Sequence, residues 1–135
     1  MSVIHMLRGL PASGKTTLAL DMVKEERVKR ISKDDLRAML HGGKYSPDTE
    51  MFVLDVRNAI AELAIKQGFD VVIDDTNLNP AHQEQLIFLA DSLGAQFNVI
   101  DVHASLDECI QRDKERPVSV GEDVIRGMYA KYIAL

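Results

Sequence analysis

The sequence GLPASGKT, residues 9–16, decides the fold of this chain. It matches the pattern G-x-x-x-x-G-K-[ST], follows an apolar run at residues 3–7 and precedes a helical pattern at residues 15–26. A glycine-containing loop between a strand and a helix can turn backbone N–H groups towards phosphate oxygens, and the helix start adds the positive end of its dipole. The motif therefore predicts a phosphate-binding loop, or P-loop.

Two side chains of the P-loop have distinct tasks in phosphate chemistry. Lys15 can reach the β- and γ-phosphates of a nucleotide, and the hydroxyl of Thr16 can bind Mg²⁺. The predicted ATP site consists of Gly9, Pro11, Ala12, Ser13, Gly14, Lys15, Thr16 and Thr17. A P-loop by itself does not distinguish kinases from ATPases, GTPases or motors.

Strand-like and helix-like segments alternate along the chain. Besides the strand at residues 3–7, apolar runs predict strands at residues 28–31, 71–73 and 97–102. The predicted N-caps of five helices beyond the first are Ser32, Ser46, Asn79, Ser105 and Ser119. This alternation predicts an α/β three-layer sandwich, a P-loop NTPase fold with a central parallel sheet of about four strands.

Several apolar residues are assigned to the core from their spacing. The helix beginning at Pro47 is predicted to bury one stripe, consisting of Phe52, Val56, Ala59, Ile60, Leu63 and Ala64. The last helix is predicted to carry an apolar face formed by Val124, Ile125, Met128 and Tyr132. Other residues interpreted as core are Met6, Met39, Met51 and Cys109. The four histidines lack metal-ligand spacing.

Length and composition exclude several classes of protein. The 135 residues and 15.1 kDa suffice for one domain, predicted as a single P-loop domain spanning residues 1–135. A net charge of −5 disfavours a protein that coats a nucleic-acid duplex, although a local cleft can still bind the end of a strand. One cysteine and the lack of a long apolar segment favour a cytoplasmic protein without a membrane anchor. A homo-oligomer is compatible with the sequence.

The segment Lys33-Asp34-Asp35-Leu36-Arg37 follows the second predicted strand. Ligand chemistry in a parallel sheet gathers outside the carboxyl ends of the strands, so this segment can face the P-loop. A kinase acting on an alcohol needs a carboxylate to accept the hydroxyl proton and a cation to fix the acceptor. Asp34 and Arg37 could supply both, whereas the alternative is simple capping of a helix by acidic residues.

Two further polar segments are candidates for the same site. Asp74, after an apolar strand, can hold Mg²⁺ through water, and Asp75 can orient Arg37 or the acceptor. The alternative is a polar turn leading into the next helix. Arg112 and Arg116, four residues apart, can close over the γ-phosphate as a lid, or can belong to a solvated helix end.

Together these motifs resemble a known family. GLPASGKTT, SKDDLR, IDDTNLNP and RDKERP, followed by VGEDVIRGMY, are similar in sequence and order to the kinase domain of the phage-type polynucleotide 5′-hydroxyl kinases. The resemblance covers nearly the whole chain. It implies a P-loop kinase with an arginine-bearing helical lid, which transfers the γ-phosphate of ATP to the 5′-hydroxyl of RNA or DNA with Mg²⁺.

The resemblance implies a role for each matching residue. Lys15 and Thr16 match the phosphate-binding lysine and the hydroxyl that binds Mg²⁺, and Asp34 matches the general base. Arg37 matches the arginine that grips the 3′-phosphate of the acceptor's first nucleotide. The matching acceptor-binding and lid positions are Asp75 with the adjoining Thr76, Arg116 and, as a second lid side chain, Arg112.

The chain also departs from the family pattern. Ala12 stands where many relatives carry glycine, and Arg8 places a charge at the end of a core strand. A family member carries a phosphatase domain after its kinase domain, so we expect no end-healing phosphatase activity from this sequence, which can also be an excised domain. Two other functions stay open: a kinase of a small-molecule hydroxyl, such as a sugar acid, a nucleoside or an antibiotic, and a regulatory ATPase.

Overall fold

The apolar runs predicted as strands form one parallel sheet in the computed structural model, which describes residues 1–134. The four strands are β1 (Val3–Arg8), β2 (Val28–Ile31), β3 (Asp70–Ile73) and β4 (Gln96–Asp101). Their order across the sheet is β2-β3-β1-β4, and every neighbouring pair is parallel. The predicted fold class, a P-loop α/β fold with a four-stranded parallel sheet, is confirmed.

Six helices connect and cover the strands. They are α1 (Lys15–Met22), α2 (Lys33–His41), α3 (Pro47–Lys66), α4 (Pro80–Leu93), α5 (Leu106–Lys114) and α6 (Glu122–Tyr132). The four predicted N-caps that accept a hydrogen bond from a backbone N–H of the first turn are Ser32, Ser46, Asn79 and Ser105. Helix α1 ends at Met22 rather than near Glu26: Val23 still packs on the sheet, and the charged residues 24–26 that follow are exposed. None of the helices within residues 1–134 has the length and apolar character needed to cross a membrane.

The two faces of the sheet are covered by different helices. Alternate residues of the strands point to opposite faces. Met6 and Ile73 pack with apolar residues of α3 and α4 on one face, while Leu7 and Val72 pack with Ala19 of α1 on the other. A third cluster joins α5 and α6 beyond the carboxyl ends of the strands, and Cys109 is buried in it as predicted. The helices that cover the two faces therefore do not cover the carboxyl ends of the strands, where the P-loop and the α5–α6 cluster lie.

The charge of Arg8 at the end of β1 is neutralised by the neighbouring strand. Arg8 is the register partner of Asp101 in β4. Its Nε donates to Asp101 Oδ1 at 2.6 Å and its Nη2 to Asp101 Oδ2 at 3.1 Å, while Nη1 donates to Gln83 Oε1 at 3.0 Å. The bidentate pair explains how an arginine is tolerated beside the P-loop.

The buried face of α3 differs from the predicted stripe. Phe52 is 51% exposed and Leu63 is 59% exposed, and Ala59 is also exposed. Val56 and Ile60 are partly buried and Ala64 is buried, as expected, but the other buried residues of this helix are Val53, Arg57, Ala61 and Ile65. The predicted stripe lies partly on the wrong side of the helix. Alanines fit on either side, and the face that is buried contains an arginine, Arg57. Met39 and Met51, assigned to the core, are exposed.

Helix α6 begins later than predicted, and Ser119 does not cap it. The N-cap is Gly121, which has a φ of 104°. The backbone N–H groups of Val120 and Gly121 donate instead to the buried carboxylate of Asp113, each at 2.9 Å. This carboxylate from α5 satisfies donors at the start of α6 and leaves Ser119 without a capping task. The inward face of α6 contains Ile125, Met128 and Tyr129, whereas Val124 is exposed.

The geometry predicts opposite effects for two glycine-to-alanine changes. A Cβ on Gly9 would lie 2.7 Å from the carbonyl oxygen of Val102 and 2.8 Å from Ser13 Oγ, whereas a Cβ on Gly127 in α6 would meet nothing within 4 Å. Gly9→Ala should lower the free energy of unfolding by about 1–3 kcal/mol. Gly127→Ala should raise it by about 0.5–1 kcal/mol. Urea unfolding of both variants tests this, and equal effects would contradict the proposed close packing at Gly9.

Candidate active site

The P-loop is held against the end of β3 by backbone contacts. Gly9 N–H donates to the carbonyl oxygen of Thr76 at 3.0 Å, while the Val102 carbonyl oxygen and the Ser13 side chain leave no room for a side chain at residue 9. Gly14, with a φ of 110°, turns the loop into α1. Ala12 has a φ of 63°, a left-handed conformation that a glycine adopts without strain. Ala12 therefore adopts a backbone conformation that is less favourable for alanine than for glycine.

Lys15 is buried and folded back onto the loop that contains it. Its Nζ donates to the carbonyl oxygens of Gly9 at 3.0 Å and Leu10 at 2.6 Å, and to Ser13 Oγ at 3.4 Å. Burial lowers the pKa of Lys15 to about 8, and the nearby Asp74 carboxylate opposes that shift. A buried ammonium held only by neutral oxygens gains strongly from an arriving phosphate, since the phosphate supplies the missing negative charge.

Thr16 and Asp74 meet at the floor of the site. Thr16 Oγ1 donates to Asp74 Oδ2 at 2.9 Å, and the Asp74 side chain is almost fully buried. The same carboxylate oxygen accepts from Arg30 Nε at 2.9 Å, and Arg30 Nη1 reaches Asp35 at 2.6 Å. Arg30 comes from β2, and its role could not be read from the sequence because a lone arginine in a short strand gives no motif.

The oxygen atoms of Thr16 and Asp74 fit a magnesium ion. Mg²⁺ usually takes one or two protein oxygens and completes its shell with water and substrate phosphates. A hydroxyl and a carboxylate 2.9 Å apart beside a phosphate-binding loop provide that kind of set. No cluster of three or more metal-ligating His, Cys, Asp or Glu side chains occurs within residues 1–134, so the geometry favours this sparse mode over a metal cage.

Asp34 and Arg37 form one connected group with a residue of α3. Arg37 Nη1 donates to Asp34 Oδ1 at 2.6 Å. On its other edge Arg37 binds Glu50 in bidentate fashion, through Nε at 3.0 Å and Nη2 at 2.7 Å. The Asp34 side chain is 89% exposed, whereas Arg37 and Glu50 are each 17% exposed. A mostly buried ion pair thus anchors an arginine that holds one oxygen of an exposed carboxylate.

Asp75 supports the start of α2 rather than Arg37. Its Oδ1 accepts from the backbone N–H of Lys33 at 2.9 Å, and burial raises the pKa of Asp75. Asp75 Oδ2, Arg57 Nη1 and His82 Nδ1 are buried without a hydrogen-bond partner among residues 1–134. Such atoms in native interiors commonly bind ordered water. Asp75 lines the same cleft as Asp34, and its hydrogen bond is with the backbone of the residue before Asp34 rather than with Arg37.

The two predicted lid arginines lie across the site from α2. Arg112 Nη1 donates to the Ser13 carbonyl oxygen at 3.3 Å, and its Nη2 binds Glu108 on the same helix at 3.1 Å. Arg116 binds Asp113, the carboxylate that also orders the start of α6. Arg112 therefore contacts the P-loop directly, whereas Arg116 lines the same cleft while bound to Asp113 of α5.

One cleft brings these residues together. Except for Gly9, every predicted site residue lines it: Pro11, Ala12, Ser13, Gly14, Lys15, Thr16, Thr17, Asp34, Arg37, Asp74, Asp75, Thr76, Arg112 and Arg116. Arg30 also lines it, while Glu50 and Arg57 act from behind it. The cleft can therefore hold a triphosphate on the P-loop with an acceptor beside Asp34, under cationic side chains from α5.

The chain is similar to a protein family and to curated proteins. Residues 4–135 match a family model described as an AAA domain. An L-seryl-tRNA(Sec) kinase of Methanococcus maripaludis is 29% identical over 135 residues, which cover 96% of this chain and 52% of the relative. The chain thus spans about half the length of this curated relative.

Solved structures with the same fold include a chain of an RNA repair complex and an APS kinase. A chain of the Pnkp1/Rnl/Hen1 RNA repair complex superposes with a TM-score of 0.85 and 23% identity, over 97% of this chain and 44% of that one. The Mycobacterium tuberculosis APS kinase CysC, solved with AMPPNP and APS, gives a TM-score of 0.67 and 22% identity over 98% and 74% of the two chains. These likenesses establish the P-loop kinase fold.

The depressed pKa of Lys15 predicts a specific dependence of stability on pH. Between the folded pKa of about 8 and the ordinary value of 10.5, the unfolded chain binds more protons than the folded chain. The contribution of Lys15 should therefore raise stability as the pH increases through this window, by on the order of 1–3 kcal/mol, and should be flat below pH 8. Unfolding midpoints of wild type and Lys15→Met from pH 7 to 10.5 measure it. An identical pH dependence in the two proteins would contradict the assignment.

Proposed function

The chain belongs to the AAA domain family and is a P-loop kinase, and we propose that it transfers the γ-phosphate of ATP to the 5′-hydroxyl end of RNA or DNA. The observation that supports this best is the shared cleft. It is lined by the P-loop lysine Lys15, by the candidate base Asp34 and by the candidate phosphate-binding Arg37. An ATPase that transfers the phosphate to water would need Lys15, but it would not need an arginine such as Arg37 beside the base.

The donor half of the site would bind ATP through the P-loop. Lys15 would exchange its carbonyl partners for oxygens of the β- and γ-phosphates, and Arg112 and Arg116 would approach the same phosphates from the lid. Thr16 and Asp74 would hold Mg²⁺, directly and through water respectively, and a bound Mg²⁺ supplies positive charge to the phosphates. The protein's contribution is mainly alignment and electrostatic stabilisation of the transferring group.

The acceptor half would activate the hydroxyl through Asp34. One oxygen of this carboxylate is held by Arg37, and the exposure of the side chain leaves the other accessible to an acceptor. As the acceptor oxygen bonds to the γ-phosphorus, its proton passes to Asp34 and the bond from that phosphorus to the β–γ bridging oxygen breaks, releasing ADP. Arg37 would contact the phosphate on the 3′ side of the first nucleotide.

The curated relative favours a second candidate, a kinase acting on the hydroxyl of an aminoacyl group carried by tRNA. The same base and P-loop would serve this reaction, because both acceptors are alcohols attached to RNA. Incubation with radiolabelled ATP and Mg²⁺ distinguishes them, using 5′-hydroxyl oligonucleotides, seryl-tRNA and a panel of metabolite alcohols. We expect label on the oligonucleotides, and label only on seryl-tRNA or on a metabolite would overturn the proposal.

Asp34→Asn should remove most phosphoryl transfer and leave ATP binding nearly unchanged. The amide keeps the shape of the side chain but cannot accept the hydroxyl proton, and general-base catalysis is commonly worth about 10²–10⁴ in rate. Single-turnover transfer rates and ATP affinity by calorimetry are the two measurements. Asp91→Asn, at the far end of α4, is the matched control. A transfer rate equal to that of wild type would remove Asp34 as the base.

Arg37→Ala should impair acceptors that carry a 3′-phosphate far more than it impairs ATP binding. Loss of a charge-assisted contact costs about 1.5–3 kcal/mol, which is roughly 10- to 150-fold in acceptor kcat/KM. The comparison uses a nucleoside and its 3′-phosphate as acceptors for both proteins. Equal losses on the two acceptors would show that Arg37 acts only by orienting Asp34.

A further inference from the structure

Glu50, which lies outside all of the sequence motifs, binds the Arg37 guanidinium. Glu50 lies in the first turn of α3, and both of its carboxylate oxygens accept from Arg37, at 3.0 Å from Nε and 2.7 Å from Nη2. Asp34 occupies the remaining nitrogen, Nη1, at 2.6 Å. All three nitrogens of the guanidinium therefore already donate to carboxylates.

This arrangement conflicts with simple binding of a phosphate by Arg37. A phosphate is bound best through two parallel N–H donors of a guanidinium, either Nε with Nη2 or Nη1 with Nη2. Glu50 occupies the first of these edges, and Asp34 takes Nη1 of the second. Two carboxylates next to one arginine give these three side chains a net negative charge that repels an arriving phosphate, and nearby Lys33 offsets part of this repulsion. The Arg37 guanidinium holds the pKa of Glu50 below its usual range, so this carboxylate stays charged near neutral pH.

We propose that Glu50 is a specificity-determining residue that competes with the acceptor's 3′-phosphate for Arg37. Acceptor binding then exchanges one anion for another on the same guanidinium, and Glu50 sets how strongly a phosphate next to the reacting hydroxyl is favoured. This inference rests on the proposed function, because that function supplies the acceptor phosphate. It goes further by naming the group that the phosphate must displace.

The alternative is that Glu50 only holds Arg37 in place, as one half of a structural ion pair. The two roles predict opposite signs. If Glu50 competes, removal of its charge tightens binding of a 3′-phosphate; if it only positions Arg37, removal weakens that binding or leaves it unchanged. The geometry favours competition, since Glu50 takes both donors of one edge of the guanidinium and shares Nη2 with the other edge, where Asp34 already binds Nη1.

The test is calorimetric binding of cytidine 3′-monophosphate and of cytidine to the full chain, with the donor site saturated by Mg²⁺ and AMPPNP. Glu50→Gln should bind the 3′-phosphate on the order of three- to tenfold more tightly than wild type and should bind cytidine equally well. Asp48→Asn is the matched control, because Asp48 is an exposed acid of the same helical turn. In the Arg37→Ala background, Glu50→Gln should have no effect.

Unchanged or weaker binding of the 3′-phosphate by Glu50→Gln would overturn the inference. Should Glu50→Gln fail to fold, Glu50→Asp withdraws the carboxylate by one methylene group and should also tighten binding. Failure of the proposed function is seen separately, as absence of label transfer to any 5′-hydroxyl acceptor by wild type. The binding assay still gives its answer in that case, since it needs no turnover.

Discussion

The close approach of the P-loop to the end of β3 is the constraint on which the rest of the site depends. Gly9 N–H binds the Thr76 carbonyl oxygen at 3.0 Å, and Asn77 Nδ2 binds the Leu7 carbonyl oxygen at 2.7 Å. These two bonds cross between the ends of β1 and β3 and set the loop at a fixed distance from the Asp74 carboxylate. Asn77 accepts a φ of 50° to make its contact, a conformation that asparagine tolerates better than most residues. One backbone–backbone bond and one bond from the Asn77 side chain thereby position the P-loop relative to Asp74.

Much of the fold could be predicted because its signals are local. The caps at Ser32, Ser46, Asn79 and Ser105 depend only on residues three or fewer positions away, and all four are present. The start of α6 was missed because its N–H groups are satisfied by Asp113, a carboxylate on another helix. Sequence periodicity carries no information about such a partner, and it likewise failed for the face of α3, which buries Arg57.

In the candidate site too, residues with a local sequence signal could be predicted and residues that act through a partner on another element could not. The segments that the motifs identified do line one cleft, because a parallel sheet brings the carboxyl ends of its strands to one edge. The residues that were missed, Arg30, Glu50 and Arg57, each act on a motif residue from a different element. Their identity gives no local signal. An arginine in a four-residue strand or an acid in a first helical turn is ordinary until its partner is known.

These partners also explain how an acidic chain can offer a site for polyanions. Each arginine of the cleft is already paired within the protein: Arg30 with Asp74, Arg37 with Glu50, Arg112 with Glu108 and Arg116 with Asp113. Lys15 is instead held by neutral oxygens, and it is more deeply buried than these arginines. Phosphate binding at the arginines therefore replaces one anion with another, so its net gain is modest and depends on geometry. Binding at Lys15 adds an anion to a cation that is held by neutral oxygens, so the P-loop is the strongest phosphate-binding part of the cleft. Selectivity for the acceptor then depends on the arginine–carboxylate pairs, in which a phosphate must replace a carboxylate.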